Sequence, residues 1–517
     1  MSLNRNAALY FVDRHIDEGR SGKVAFREAA GEKRSLTYGT LSKRSGCVAG
    51  ALDHAGIRRE ERALMLVLDK IEFPEIFWGC LKAGVVPIPL NTLLSTSVYR
   101  SILNDSRASC LFVSEELLPV VGPAIAQADF LRKVVVVGSK APDGAQSYTD
   151  FLDGCAPVKP IVVSDDETAF WLYSSGSTGL PKGVRHVHSS LKATSDTYAK
   201  QVLNIGEDDV VYSVAKIFFA YGLGNAMSFP MSVGATTVLF DARPTPAVVV
   251  DIISTEKPTV FCGVPTLYAA ILAHMESENH KPTTKLRRCI SAGEALPEDI
   301  GKAWAALWGV DILDGVGSTE MLHIFLSNSA NDVVYGTSGT AVPGYDLRLV
   351  DDAGNEITNT GEIGELLVRG ASGADGYWNQ RDKSRATFEG EWTRTGDKYE
   401  LSDQGRFIYC GRTDDMFKVS GIWLSPFEVE QALASHPAIL EAAVVSARDD
   451  QGLEKPKAFV VLKSGRDCEA LQSELKEHVK EKVGKWKYPR WIDIVDDLPK
   501  TATGKIQRFK LRSDDAV

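Results

Sequence analysis

The run Tyr173-Ser174-Ser175-Gly176-Ser177-Thr178-Gly179-Leu180-Pro181-Lys182-Gly183 gathers three glycines, four Ser/Thr hydroxyls and a lysine. Glycines let backbone N–H groups converge on a concavity, hydroxyls add short donors and lysine adds positive charge, a combination that suits a polyphosphate. It is not a GxxxxGK[ST] loop, because Pro181 stands where that pattern needs glycine. The plain alternative is a Gly/Ser-rich surface turn. In Gly315-Val316-Gly317-Ser318-Thr319-Glu320 a carboxylate follows two hydroxyls. Such a group could hold a hard cation bridging phosphate oxygens, or could simply cap a helix. Asp397 in Thr395-Gly396-Asp397, with Arg412 further on, could accept from ribose hydroxyls, or could form a turn. Lys505 follows Thr503-Gly504, small residues that would let it project from a loop.

The elements that must position these groups alternate. Leu41, Val48 and Leu52 recur at helical spacing, Ala63 to Leu68 is a short apolar run, 71–83 reads as a helix and 134–137 as a strand. The alternation continues with strand-like 170–172, 235–240, 259–262 and 310–313 and helical stretches around Val248 and Leu267. This predicts βα units around largely parallel sheets. After about Tyr335, short strands at 347–350, 365–369 and 407–409, separated by Gly, Asp and Asn turns, predict a small β-rich subdomain. Beyond the polar turn 411–415 come a helix (426–434), strands (442–445, 458–462), a charged helix (468–482) and a last strand (491–495). The expected fold is therefore α/β. A large N-terminal domain (1–413) of βα-layered sheets carries the β-rich subdomain, and a mobile α+β domain (414–517) follows.

Composition sets bounds. The 517 residues are 44% hydrophobic and 24% charged, and 58 basic against 68 acidic side chains give a net charge of −10. That excludes a disordered chain and disfavours a general nucleic-acid binder. The eight cysteines form no CxxC pair, which argues against a zinc ribbon or a thioredoxin-type redox centre. Residues 217–240 carry no charge, yet glycines and Pro230 interrupt them, so they read as buried, site-lining chain rather than a membrane span. With no signal-peptide pattern at Met1 to Arg5, the expected location is the cytoplasm.

In order and spacing, the motifs above, together with Gly411-Arg412-Thr413-Asp414-Asp415 and the run Pro499 to Lys505, resemble the adenylate-forming superfamily of acyl-CoA synthetases, luciferases and adenylation domains. The resemblance spans essentially the whole chain. A nearer one, to bacterial benzoate–CoA and 4-hydroxybenzoate–CoA ligases of aromatic compound degradation, rests on residues 218–225, 291–297, 317–328, 384–388 and 501–511.

The resemblance implies ATP, Mg²⁺ and coenzyme A. Ser174, Ser175, Gly176, Ser177, Thr178, Gly179 and Lys182 would hold the β- and γ-phosphates. Thr319 would contact phosphate, Glu320 would ligate Mg²⁺, and Lys505 would touch the carboxylate and α-phosphate; these three form the catalytic set. Gly293, Glu294, Ala295 and Asp314, with Gly315, Val316, Gly317 and Ser318, would line the nucleotide, and Asp397 and Arg412 the ribose. Many relatives stack an aromatic residue on adenine where this chain has Val316, so an aliphatic contact would serve here. Phe219, Ala220, Tyr221, Gly222, Ala292, Gly293, Gly317, His323 and Ile324 would form a short flat slot for an aryl acid, with Phe218 in the core.

Asp414 would be a hinge on which the C-terminal domain turns, bringing the segment around Lys418 to the site. Family members are often dimers, and some are controlled by an acetyltransferase and deacetylase acting on the lysine that corresponds to Lys505. Rival readings are ligation of a fatty or alicyclic acid, transfer to a carrier-protein thiol, a luciferase-like oxidase and a silent AMP sensor.

Overall fold

The computed structural model describes residues 4–174, 181–419, 422–450, 452–463, 469–484, 486–500 and 506–513. By its internal contacts the chain forms two units. One holds residues 1–335, 339–346 and 368–393; the other holds 336–338, 347–367 and 394–517.

The first unit is built on two sheets of buried strands. The larger runs in the order Thr340–Ala341, Ile324–Ser327, Ile312–Gly317, Arg288–Ala292, Val260–Gly263, Val210–Ser213, Thr236–Leu239, Val24–Glu28, Ser35–Thr37. Its six inner strands from Ile312–Gly317 to Val24–Glu28 are parallel, and the strands at either end are antiparallel. The second sheet is parallel throughout, in the order Val86–Pro89, Arg62–Leu66, Cys110–Ser114, Lys133–Val137, Gln146–Ser147. Runs such as Leu64-Met65-Leu66 and Val135-Val136-Val137 are buried, as parallel strands covered on both faces require.

Helices cover these sheets. The helix Tyr38–His54 starts at Thr37, whose hydroxyl accepts from the Thr40 N–H, and the helix Glu72–Ala83 ends at Gly84 in the left-handed conformation. The two helices pack closely: a Cβ on Gly79 would stand 2.5 Å from Val48 Cβ. Three antiparallel strands, Gly376–Tyr377, Lys182–Val187 and Thr168–Ser174, form a third sheet. Residues 217–240 form short helical pieces, two α-helical (Ala220–Leu223, Phe229–Met231) and one π-helical (Gly224–Ser228), then the strand Thr236–Leu239. Among the described residues no helix is long and apolar enough to cross a membrane.

In the second unit the strand Phe407–Arg412 pairs antiparallel with Trp392–Leu401. A further sheet joins Ile439–Arg448 to Glu454–Leu462 antiparallel and to Trp491–Ile494 parallel. The helices Pro426–Ala434 and Glu469–Val483 supply Val429, Leu433, Leu475 and Val479 to its core. The helix Arg508–Ser513 returns to the start of this region: Arg508 binds Glu430 at 2.7 Å, and both Arg508 and Arg512 bind Asp415, at 3.3 and 2.7 Å.

Most expected elements are present within one or two residues, with three differences in kind. The strand expected at 310–313 lies at Ile312–Gly317 and takes Gly315-Val316-Gly317 into the sheet. No helix follows Glu320, so helix capping is not its role; the next element is the strand Ile324–Ser327. Thr395-Gly396-Asp397 is not a turn but the middle of the ten-residue strand Trp392–Leu401.

Candidate active site

In parallel sheets, ligands gather where strands end at their carboxyl edge. Register aligns Gly263 with Ser291, Ser291 with Asp314 and Ala292 with Gly315, so three strand ends lie side by side. From this edge leave Gly293, in the left-handed region at φ +100°, then Glu294 and Ala295. Asp314 sits just inside, 5% exposed, and accepts at Oδ2 from the Leu296 N–H at 3.3 Å, while its Oδ1 has no partner among the described residues. Burial pushes its carboxyl up to about 8. Val316, half-buried beside them, pairs with Leu326.

The next segment carries Ser318, Thr319 and Glu320. The Ser318 hydroxyl accepts from the Met321 N–H at 3.1 Å, and Leu322 adopts φ +65°, which closes the turn. This turn is tied to the three-stranded sheet. His186, buried and stacked on Phe170, has a proton affinity pulled down by burial to about 4. The ring is therefore neutral near pH 7, and at 2.9 Å from the Thr319 carbonyl its Nε2 must be the protonated, donating nitrogen. The Ala374 N–H donates to the Glu320 carbonyl at 2.8 Å.

Lys182 opens the strand Lys182–Val187 and is the cross-strand partner of Ser174, so the hairpin holds the two flanks of 175–180 together. The Ser174 hydroxyl is buried without a partner among the described residues. Lys182 Nζ lies 3.6 Å from Glu320 Oε1. Tyr377 completes the group: its hydroxyl donates to Glu320 Oε1 at 2.8 Å and accepts from Lys182 at 3.2 Å. A single sheltered carboxylate beside the Tyr377 hydroxyl and Lys182 fits Mg²⁺, which is usually held by one or two carboxylates plus phosphate oxygens.

The acid-slot residues also converge. Tyr221 donates to the carbonyls of Gly263 and Ile290, at 3.1 and 3.2 Å, which seats its ring across the strand ends. His323 is 2% exposed, its Nε2 faces the Tyr221 carbonyl at 3.3 Å, and Tyr198, Tyr221 and Phe229 surround its ring. Burial holds His323 down to about 3, so it is a neutral wall. Ile324 and Gly317 face each other across the antiparallel pair, and a Cβ on Gly317 would stand 2.5 Å from the His323 carbonyl oxygen. Phe219 and Ala220 are half-buried, Gly222 and Ala292 are buried, and Phe218 is core. A Cβ on Gly222 would fall 2.0 Å from the Lys216 carbonyl oxygen, so only glycine fits there.

Asp397 and Arg412 belong to the second unit, where strand register pairs them. Arg412 donates to Asp397 Oδ1 at 2.9 Å and to the Thr395 carbonyl at 3.1 Å, and the adjacent carboxylate raises its proton affinity further. Asp414 follows in a turn, and Lys418 is on the strand Phe417–Val419. Ser175, Gly176, Ser177, Thr178, Gly179 and Lys505 lie outside the described residues.

Sequence reasoning missed three residues. His186 and Tyr377 meet their partners only through strand pairing. Asn225, one turn after Tyr221, is 1% exposed, and its side chain lies beside the Tyr221 hydroxyl.

A sheet edge with an acid slot beside it, and a lysine, hydroxyl and carboxylate set for phosphate and cation, define a nucleotide-dependent enzyme of the adenylating kind. The chain belongs to the AMP-binding enzyme family, whose model matches residues 13–378, and the AMP-binding enzyme C-terminal domain matches 428–505. It is 52% identical to a 4-hydroxybenzoate–CoA/benzoate–CoA ligase of Rhodopseudomonas palustris, over 98% of this chain and 94% of that one. A benzoate–CoA ligase of Thauera aromatica is also 52% identical, over 98% and 96%. Among solved structures, a benzoate CoA ligase from Burkholderia xenovorans LB400 superposes with TM-score 0.89 at 47% identity, covering 99% of this chain and 100% of that one.

Proposed function

We infer that this protein is an ATP-dependent, AMP-forming aryl-CoA ligase acting on benzoate or 4-hydroxybenzoate. Full-length identity of 52% to two ligases of that activity carries the reading. The neutral, aromatic surroundings of His323 are consistent with a flat ring as substrate.

A carboxylate is a poor electrophile because its leaving group would be oxide. Attack of one carboxylate oxygen on the α-phosphorus of ATP gives the acyl-adenylate and expels pyrophosphate. The CoA thiolate then attacks the acyl carbon and AMP leaves. Lys182, Ser174 and the segment 175–179 would hold the β- and γ-phosphates, with Thr319 beside them. Gly293, Glu294, Ala295 and Asp314 would line adenine, and Asp397 and Arg412 would bind ribose. Glu320 would hold Mg²⁺, which neutralises converging phosphate charge. Lys505 would neutralise the carboxylate and α-phosphate as they meet, a stabilisation that grows toward the transition state. Asn225, close to the Tyr221 hydroxyl, would meet a ring hydroxyl on the acid. Asp414 would be the hinge between the two half-reactions, with residues 414–517 as the moving part.

The test is AMP release from ATP, Mg²⁺ and CoA across benzoate, 4-hydroxybenzoate, cyclohexanecarboxylate, hexanoate and palmitate. CoA-dependent turnover of the aryl acids alone is expected. Turnover of only the aliphatic acids would remove the slot, and adenylation without use of CoA would point to a carrier-protein thiol.

A further inference from the structure

Lys216 stands three residues past the strand Val210–Ser213, at the start of the segment that supplies Phe219, Ala220, Tyr221 and Gly222 to the acid slot. Its side chain is 20% exposed. Its Nζ donates to the Phe240 carbonyl at 2.5 Å and to the Ala242 carbonyl at 2.8 Å, and lies 3.9 Å from Asp69 Oδ2. Phe240 and Ala242 follow the strand Thr236–Leu239, which pairs with Val210–Ser213. Asp69 is buried and follows the strand Arg62–Leu66 of the other sheet. One ammonium thus ties the slot segment to the chain leaving two other strands. Hydrogen bonds from a charged donor are about twice as strong as neutral ones, so this tie is firm.

The backbone of the same residue carries the slot. The Lys216 carbonyl accepts from the Phe219 N–H at 3.1 Å, and the Phe219 carbonyl in turn accepts from the Leu223 N–H at 2.7 Å. A Cβ on Gly222 would fall 2.0 Å from the Lys216 carbonyl oxygen, so the helical turn Ala220–Leu223 packs directly on this peptide. The following peptide is held as well: the Ile217 N–H donates to Asp69 Oδ1 at 3.4 Å, and Ile217 is fully buried. Packed chain transmits displacement, so a shift of the Lys216 peptide reaches Phe219 and Gly222 by contact.

We propose that Lys216 is a positioning residue for acid binding: its ammonium, pinned to the Phe240 and Ala242 carbonyls, fixes the peptide on which Phe219 and Gly222 are seated. The proposal rests on the aryl-acid reading given above.

The experiment measures AMP release by the full chain and takes the KM for benzoate and the KM for ATP separately. Lys216→Met keeps most of the apolar stem and removes the donors and the charge. It is expected to raise the KM for benzoate about tenfold, with the KM for ATP within about twofold of wild type. Lys216→Arg keeps a charged donor and is expected to stay within about threefold of wild type for benzoate. A benzoate KM within about twofold of wild type in K216M, or equal rises in both KM values, would overturn the proposal. So would a rise in K216R as large as that in K216M. Lys216→Gln, a neutral donor one atom too short to reach both carbonyls, is the second variant should K216M not fold. It is expected to raise the benzoate KM at least about fivefold with ATP unaffected, and a wild-type value there would overturn the proposal. The wild-type enzyme separates the two readings. If it turns over no aryl acid, the aryl-acid reading and this proposal fall together; if it turns over benzoate and K216M keeps the same KM, only the proposal falls.

Discussion

Asp314 shows how a single buried carboxyl couples the site to pH. Its pKa, pushed up to about 8 by desolvation, means that the folded protein holds a proton long after the unfolded chain has lost it. Its contribution to stability is full below about pH 4, the usual carboxylate range, and is lost as pH rises through about 8. Asp314→Asn, which cannot ionise, is expected to show a smaller fall in Tm than wild type between about pH 6 and 9. Parallel Tm profiles would mean that Asp314 ionises freely in the fold. His186 and His323 act in the opposite direction: held down to about 4 and 3 in the fold, they add stability as pH rises through about 6.5, where the unfolded imidazoles lose their protons, equally in wild type and variant.

The π-helical segment Gly224–Ser228 places its first residue against His323. A methyl at Gly224 would stand 2.3 Å from His323 Cδ2, and the ring is hemmed in by Tyr198, Tyr221 and Phe229. Gly224→Ala is therefore expected to raise the KM for the aryl acid about tenfold, by pushing His323 into the slot, with the KM for ATP unchanged. Equal changes in both would argue that His323 does not bound the acid. Elements like this were the hardest to foresee. The helix Pro426–Ala434 and the parallel strands were legible, since amphipathic spacing and apolar runs report burial directly. Gly315-Val316-Gly317 has a loop's composition and is strand because Ile324–Ser327 pairs with all three residues and Ala292 with Gly315. Asp397 likewise lies mid-strand through pairing with Arg412. Of the candidate site, the glycine, lysine and carboxylate motifs were legible as local chemistry. The Lys182–Tyr377–Glu320 group was not, because Tyr377 is 195 and 57 positions from its partners.

Across the whole chain, the segment after Asp414 is fastened, and Arg512 also donates to the Asp414 carbonyl at 3.4 Å. Asp415 is gripped by Arg508 and Arg512 from the last described helix, and Arg508 also grips Glu430. A rotation at 414 would therefore carry the helix Arg508–Ser513 along with residue 415. Asp414→Pro, which restricts both its own φ and the residue before it, is expected to leave pyrophosphate release intact and to slow thioester formation at least about tenfold. Equal loss of both half-reactions would place the pivot elsewhere. The large sheet has a further consequence, for concentrated solutions. Its outer strands, Ser35–Thr37 and Thr340–Ala341, are three and two residues long. A second chain approaching either rim would find too few free amides to extend the sheet, so the rims resist strand-to-strand aggregation. At these two rims, pairing of two copies would have to be made by side chains rather than by a shared ladder.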